Sequence, residues 1–269
     1  MELTYENAET VSPGDKKQNW QTAFGLQAVD NLKPSEYAVK LSEEHISGKM
    51  SIYQVEDTIE RYYKQKGSFD AKNRQNEADI VSARIVKILG NKSFSLNENS
   101  LKNIHKILFK DFKNYNPGKY RKMDIIKAEW VLDNDTVQYA HFENIEDEIA
   151  LILNKEEQVK KIDINHILNF ISKIWQVHPF LEGNTRTVAI FAIQYLRNLG
   201  YKIDNSSFEK HAKFFRNALV RSNYRNAVLN INRENAFLIN FFENVLQGKE
   251  HKLQNRELHI HWKFPSGEG

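Results

Sequence analysis

Trp175-Gln176-Val177-His178-Pro179-Phe180-Leu181-Glu182-Gly183-Asn184-Thr185-Arg186-Thr187 lies between two apolar repeats of helical period. Before it, Ile164, Ile167, Leu168, Ile171, Ile174 and Trp175 recur at the spacing of one helix face. After it, Val188, Phe191, Ala192, Tyr195, Leu196 and Leu199 do so again, and Gly200 supplies a C-terminal cap. Pro179 cannot continue the first helix, and Gly183 allows a close approach of backbone to a ligand. The stretch therefore reads as helix, loop, helix, with functional residue types concentrated in the loop.

Backbone N–H groups from Gly183 onward open a helix, where unpaired donors and the helix dipole favour an anion such as phosphate. Asn184 adds a side-chain donor, and Arg186 brings a planar cationic fork suited to phosphate oxygens. Glu182 is a single carboxylate beside that anion site. One carboxylate is too few for an all-protein metal cage, but it suits Mg2+, which takes its other ligands from nucleotide phosphates and water. His178 precedes the anion site, and an imidazole is suited to general base work near neutral pH. Taken singly, a His before Pro is usually structural and a Gly-Asn pair is usually a turn. The ordered set points to transfer of a phosphoryl or nucleotidyl group from a Mg-nucleotide to a hydroxyl.

The run His178-Pro179-Phe180-Leu181-Glu182-Gly183-Asn184-Thr185-Arg186 resembles the signature of the Fic family, H-P-F-x-[D/E]-G-N-G-R-x-x-R. The resemblance implies a mostly helical domain, and a transfer of AMP from ATP to a hydroxyl (Ser, Thr or Tyr) of a target protein. It implies His178 as the base, Phe180 as the core anchor of the loop and Glu182 as the Mg2+ ligand. Gly183, Asn184, Thr185 and Arg186 become the phosphate cradle. Thr185 stands where the signature has Gly, and Ala189 where it has a second Arg that contacts the γ-phosphate and pairs with an inhibitory Glu. An intact inhibitory motif, [S/T]-x-x-x-E-[G/N], is missing. Ser68 to Asn73 has Lys72 in place of Glu, and Asn230 to Asn235 has Asn230 in place of Ser or Thr. Two alternatives remain open: transfer of phosphate or another nucleotide moiety by the same site, and a catalytically weak Fic-like binding module.

The 269 residues suffice for one large or two small domains, and 41% hydrophobic residues support a proper core. A net charge of +3 is too mild to argue for nucleic acid. The absence of cysteine excludes disulfides and thiol chemistry and fits a reducing cytoplasm. No stretch is apolar enough to span a membrane, and Met1 to Glu6 lacks the basic-then-apolar pattern of a signal peptide. Family members often associate through helical faces, so a homo-oligomer is a further expectation from the resemblance.

Along the chain, residues 1–33 read as irregular with one short helix. Tyr37, Val39, Leu41 and Ile46 mark a second helix ended by Gly48, and Ser51 caps a third carrying Val55, Ile59, Tyr62 and Tyr63. Leu41 to Ser51 resembles, more weakly, the antitoxin-like helical module found beside some Fic domains; a plain helical pair packed on the core is the alternative. Residues 74–90 form a helix, and Ser95-Leu96-Asn97-Glu98 reads as a capping box for the next. Lys119-Tyr120-Arg121 resembles a stretch between the first two helices of the family, which would give Arg121 a functional role; a solvated surface charge is the favoured alternative. From Glu129 to His141 the period changes: Trp130 and Leu132, then Val137 and Tyr139, alternate about Asp133-Asn134-Asp135, a hairpin signal. The resemblance makes this a flap whose strand Val137-Gln138-Tyr139-Ala140-His141 docks the target by main-chain pairing. Ile145 to Leu153 is a helix and Asn154 to Lys161 a surface loop. Phe208 to Leu219 is a further helix. Tyr224 becomes a candidate contact on the adenine side, with aromatic packing as its alternative. Ala236 to Val245 forms the last core helix, and Leu258 to Trp262 an edge strand or docked tail. The expectation is an all-α fold: an N-terminal helical region over 1–73, a Fic-like domain with a β-hairpin flap over 74–250, and a tail over 251–269.

Overall fold

The computed structural model describes residues 11–66, 74–203 and 206–262, which carry ten α-helices. They are α1 (Pro13–Gln27), α2 (Glu36–Ile46), α3 (Ile52–Lys66), α4 (Gln75–Gly90), α5 (Glu98–Phe109), α6 (Ile145–Glu157), α7 (Ile164–Val177), α8 (Asn184–Asn198), α9 (Ser206–Asn223) and α10 (Ala236–Gln247). Every residue of α8 from Asn184 to Leu196 is buried, polar ones included. A helix buried all round is a core helix rather than a surface one, so the single apolar stripe visible in the sequence understates its position. Around α8 pack α4, α5 and α7, and α9 and α10 close over α7.

The largest departure from expectation is α1. Ser12 accepts from the Asp15 amide at its N-cap, and Pro13 occupies the first turn, where its missing N–H costs nothing. Asn19, Trp20, Thr22, Ala23, Leu26 and Gln27 are buried at helical spacing against α4 and α9. The indole of Trp20 donates to His45 Nδ1 at 2.9 Å, tying α1 to α2. Polar residues on this buried face hid the length of the expected short helix from a reading based on apolar period.

Four smaller expectations change. The cap of α5 is Asn97, whose side chain accepts from the Ser100 amide at 2.9 Å, rather than Ser95. α6 runs on to Glu157, because Glu156 is a buried anchor that accepts from His166 at 2.7 Å and from the Tyr195 hydroxyl. The tail forms no strand; the Ile260 amide bonds to the Val131 carbonyl at 2.9 Å, so it docks on the segment before the flap turn.

The hairpin is the fourth. Residues 121–141 contain no strand; Trp130–Leu132 is a 3-10 turn, and Asp133 and Asn134 both adopt positive φ. The segment does fold back, through Glu129 N–H to Asp135 O at 2.9 Å. No ladder follows, because side chains hold the backbone groups that a sister strand would need. Thr136 Oγ1 accepts from the Lys127 amide, Gln176 donates to the Gln138 carbonyl, and Arg121 donates to the Ala140 carbonyl. The flap is pinned to the helical body rather than paired with itself.

A Cβ on Gly25 of α1 would lie 2.5 Å from the Glu209 Cα in α9. Gly25→Ala should therefore lower the unfolding free energy by about 2 kcal/mol or more, read as a drop in the urea midpoint with unchanged m-value. A midpoint equal to wild type would mean that α1 does not press on α9.

Candidate active site

α7 stops at Val177 because His178 takes the left-handed conformation (φ 52°, ψ 57°) and its amide returns to the Trp175 carbonyl at 3.1 Å. The Nδ1 of His178 lies 3.3 Å from the same carbonyl. A carbonyl can only accept, so Nδ1 carries the proton and Nε2 keeps its lone pair. The ring is 4% exposed, with Tyr139 over it at a centroid distance of 4.3 Å and Trp175 edge-on at 5.2 Å. Burial pushes its pKa well below the ordinary value, and the charges of Lys127, Arg216 and Arg121 act in the same direction. His178 is thus a neutral imidazole at neutral pH, the form that accepts a proton.

The loop after it is braced from several sides. The Asn184 side chain closes a ring with Phe180, accepting from its amide at 2.9 Å and donating to its carbonyl at 2.7 Å. Phe180 is fully buried and stacks on His105 at 3.8 Å between ring centres. His105 Nδ1 accepts from the Gly118 amide, so its Nε2 donates to the Glu182 carbonyl at 3.0 Å. Burial lowers the His105 pKa to about 4. Gly183 sits at φ 75°, and a Cβ there would meet the Phe109 ring at 2.5 Å. The glycine serves close packing of the loop on α5.

Of the two readings of Arg121, the structure excludes the solvated charge: the residue is 3% exposed. Its guanidinium donates to the carbonyls of His178 (2.9 Å), Met123 (2.7 Å), Val177 (3.3 Å) and Ala140, while its own amide bonds to the Pro179 carbonyl at 2.9 Å. One side chain thereby joins the end of α7, the start of the loop and the flap. The sequence hint was the Lys119-Tyr120-Arg121 stretch, which resembles a segment between the first two helices of the Fic family.

The other expected residues separate into two groups. Glu182 is half exposed and pairs with Lys127 of the flap at 3.1 Å. The amides of Gly183 through Arg186 make no hydrogen bond among the described residues. Thr185, where the signature has Gly, is buried and accepts from the Trp175 indole at 2.9 Å. These lie along the loop, with the flap residues Gln138, Tyr139, Ala140 and His141 beside it; Val137 is buried in the core. Arg186 faces elsewhere. It is 1% exposed and bonds Glu77 at 2.7 Å, Asp30 at 2.8 Å and Gln27 at 3.1 Å, so its fork grips carboxylates behind the loop instead of an anion in front of it. Asn184 likewise spends its amide on Phe180. Ala189 is fully buried in α8. Tyr224 is buried, and its hydroxyl donates to Asp135 at 2.6 Å, tying the turn after α9 to the flap instead of offering a face for a base. Of the two imperfect inhibitory motifs, Ser68 to Asn73 lies outside the described residues, and Glu234 of the second accepts from the Ala236 amide at the start of α10. The described residues contain no cluster of three or more metal-ligating side chains.

Residues 95–196 match the model of the Fic/DOC family. Among curated proteins, the chain is 32% identical over 136 residues to the protein adenylyltransferase VbhT of Bartonella schoenbuchensis, covering 48% of this chain and 26% of that protein. It is 42% identical over 53 residues to the probable protein adenylyltransferase y4lH of Sinorhizobium fredii, covering 20% of this chain and 27% of that protein. The chain spans about a quarter of the length of these relatives. No helix among the described residues is long and apolar enough to cross a membrane.

Two outcomes follow from this geometry. Arg121→Ala leaves four carbonyls without their donor, and each buried group left unpaired costs about 1–3 kcal/mol. The variant should lose at least 3 kcal/mol in urea unfolding; Arg121→Lys, which keeps the charge but not the fork, should lie between it and wild type. Second, His105 and His45 both have native pKa values lowered to about 4. The unfolded chain then binds protons that the native state refuses as pH falls from 6.5 towards 4, so stability drops across that window and levels off below it. Urea midpoints from pH 7 to pH 4.5 should show that slope, and His105→Asn should reduce it.

Proposed function

We propose, for a chain whose residues 95–196 form a Fic/DOC domain, that it transfers AMP from ATP to a hydroxyl side chain of a target protein, releasing pyrophosphate. The observation that carries the reading is the tautomer of His178. With Nδ1 committed to the Trp175 carbonyl, Nε2 is the nitrogen that takes the hydroxyl proton. The freed oxygen attacks the α-phosphorus, and the bond to the β-phosphate oxygen breaks. The unpaired amides of Gly183, Asn184, Thr185 and Arg186 are the donors for phosphate oxygens, and their place at the start of α8 adds the helix dipole, worth about 0.3–2 kcal/mol for an anion. Glu182 fits Mg2+ as a lone, half-exposed carboxylate beside those amides, with nucleotide phosphates completing the shell. When bound, that ion supplies charge neutralisation on the phosphates. Lys127 must release Glu182 for this, which links the flap to nucleotide binding.

In this reading Asn184 and Arg186 hold the loop and α8 in place for the amides. A protein target is supported by exposed apolar residues beside the site: Met123, Ile126 and Trp130 on the flap, and Val228 and Leu229 on the turn that Tyr224 ties to it. A second reading rests on Ala189 and Arg186. With Ala189 buried and Arg186 engaged by carboxylates, no arginine of the motif grips the far end of the triphosphate, and the nucleotide could bind reversed and donate its γ-phosphate.

The test is intact mass after incubation with Mg2+ and ATP, with and without a cell lysate carrying α- or γ-labelled ATP. An AMP-sized gain or α-label on protein is expected, reduced by about 100- to 10,000-fold in His178→Ala. γ-Label alone would establish the phosphate reading. Label transfer that survives His178→Ala would remove His178 as the base.

A further inference from the structure

A nucleoside triphosphate would bring several negative charges to the loop, and the Glu182 carboxylate adds one more beside them. The α8 amides answer with partial charges only. Arg186 is turned to Glu77 and Asp30 behind the loop, and position 189 is a buried Ala. The α-phosphorus is served by the amides and by His178, so the charge left without a side-chain cation is that of the pyrophosphate portion. A cation for it has to come from outside the motif.

Three cations of the described residues press on the His178 ring. After burial, the charge of Lys127 is the strongest influence lowering the pKa of that ring, ahead of Arg216 and Arg121. Two of the three are committed. Arg121 is buried and spends its guanidinium on the carbonyls of His178, Met123, Val177 and Ala140. Arg216 grips both oxygens of Glu129, itself 1% exposed, at 2.7 and 2.9 Å. Lys127 is held differently. Its amide bonds to Thr136 Oγ1 at 3.2 Å, which fixes the root of the side chain. Its ammonium has a single partner among the described residues, the half-exposed Glu182 at 3.1 Å. A one-contact pair open to water is weak, and a lysine head on a flexible stem can follow a better anion.

We propose that Lys127 is the phosphate ligand on the flap side of the site: when a nucleoside triphosphate binds, its ammonium passes from Glu182 to the pyrophosphate portion and leaves the carboxylate free. There it would offset the negative charge that grows on the β-phosphate oxygen as the bond to the α-phosphorus breaks. The proposal rests on the nucleotide-transfer reading of the loop, and its test reads binding rather than turnover.

The measurement is calorimetric titration of ATP and of AMP into the full chain without Mg2+, so that Lys127 is read apart from the metal. Lys127→Ala should weaken ATP by about tenfold or more, the scale of one lost charge-assisted hydrogen bond, and change AMP by less than about twofold. Lys127→Arg, which keeps the charge, should recover most of the ATP affinity. Glu182→Gln separates a direct contact from simple neutralisation of Glu182. If Lys127 only masks that carboxylate, removing it in the Glu182→Gln background costs nothing; a direct ligand still costs about tenfold. Circular dichroism of all variants should match wild type, because the side chain meets only Glu182. ATP affinity unchanged in Lys127→Ala, an equal loss for AMP, or a loss that vanishes with Glu182→Gln would each overturn the proposal while leaving the nucleotide site standing. Wild-type protein that binds neither nucleotide would overturn the nucleotide reading and this proposal with it.

Discussion

A guanidinium buried at the first turn of α8 needs neutralising where it stands, and much of the architecture meets that need. Arg186 is 1% exposed. Burial works against its charge, but Asp30 and Glu77 hold it firmly protonated. Glu77 comes from α4 and is itself fixed by Arg74 at 2.7 Å and by the Tyr115 hydroxyl at 2.6 Å. Gln27 ends α1, Asp30 follows it, and the Phe109 ring of α5 covers the guanidinium at 4.9 Å. Deleting one partner of such a pair typically costs about 3–5 kcal/mol, because the other charge stays buried. Segments far apart in sequence therefore converge on the start of α8, which is where the unpaired amides begin.

Opposite this anchor stands a second one. Arg121 holds the end of α7 and the flap mainly through carbonyls, and burial lowers its pKa although Asp124 at 3.5 Å and the charge of Glu148 act against the shift. The loop from His178 to Gly183 hangs between the two arginines. Its conformation is not stored in the loop: the left-handed His178, the left-handed Gly183 and the Asn184–Phe180 ring all need supports supplied from α4, α5 and residue 121. A site built this way resists drift, at the cost of depending on contacts remote from it.

That dependence explains which features were legible in the sequence. α7 and α8 were plain from apolar period, and the loop from Pro179 and Gly183, because those signals are local. The placements of Arg121 and Arg186 were not. An arginine's type says that it can grip phosphate or carboxylate equally well, and only the fold says that Glu77, 109 positions away, has already taken Arg186. The flap failed for a related reason. Alternation at Trp130, Leu132, Val137 and Tyr139 correctly marked a segment that turns back on itself. It could not reveal that Thr136, Gln176 and Arg121 would claim the backbone groups a ladder requires. α1 was read only as one short helix because its buried face carries Asn19, Thr22 and Gln27 among the apolar residues.

Burying the base has a chemical consequence. A depressed pKa makes His178 a weaker base, yet it also guarantees that the neutral form is fully populated at neutral pH. Such a base works well only if the conjugate imidazolium is stabilised once the proton arrives. The Trp175 carbonyl on Nδ1 does part of this, since the bond strengthens when the ring becomes positive. In the proposed reaction a nucleotide phosphate would do the rest, because an anion held by the α8 amides would offset the cations of Lys127, Arg216 and Arg121 that otherwise oppose protonation. Nucleotide binding would thus raise the basicity of His178 at the moment it is needed. The same anion would compete with Glu182 for Lys127, loosening an ion pair that joins the flap to the loop. On the proposed function, base activation and flap release would follow from a single electrostatic event, without any arginine of the motif having to reach the phosphate.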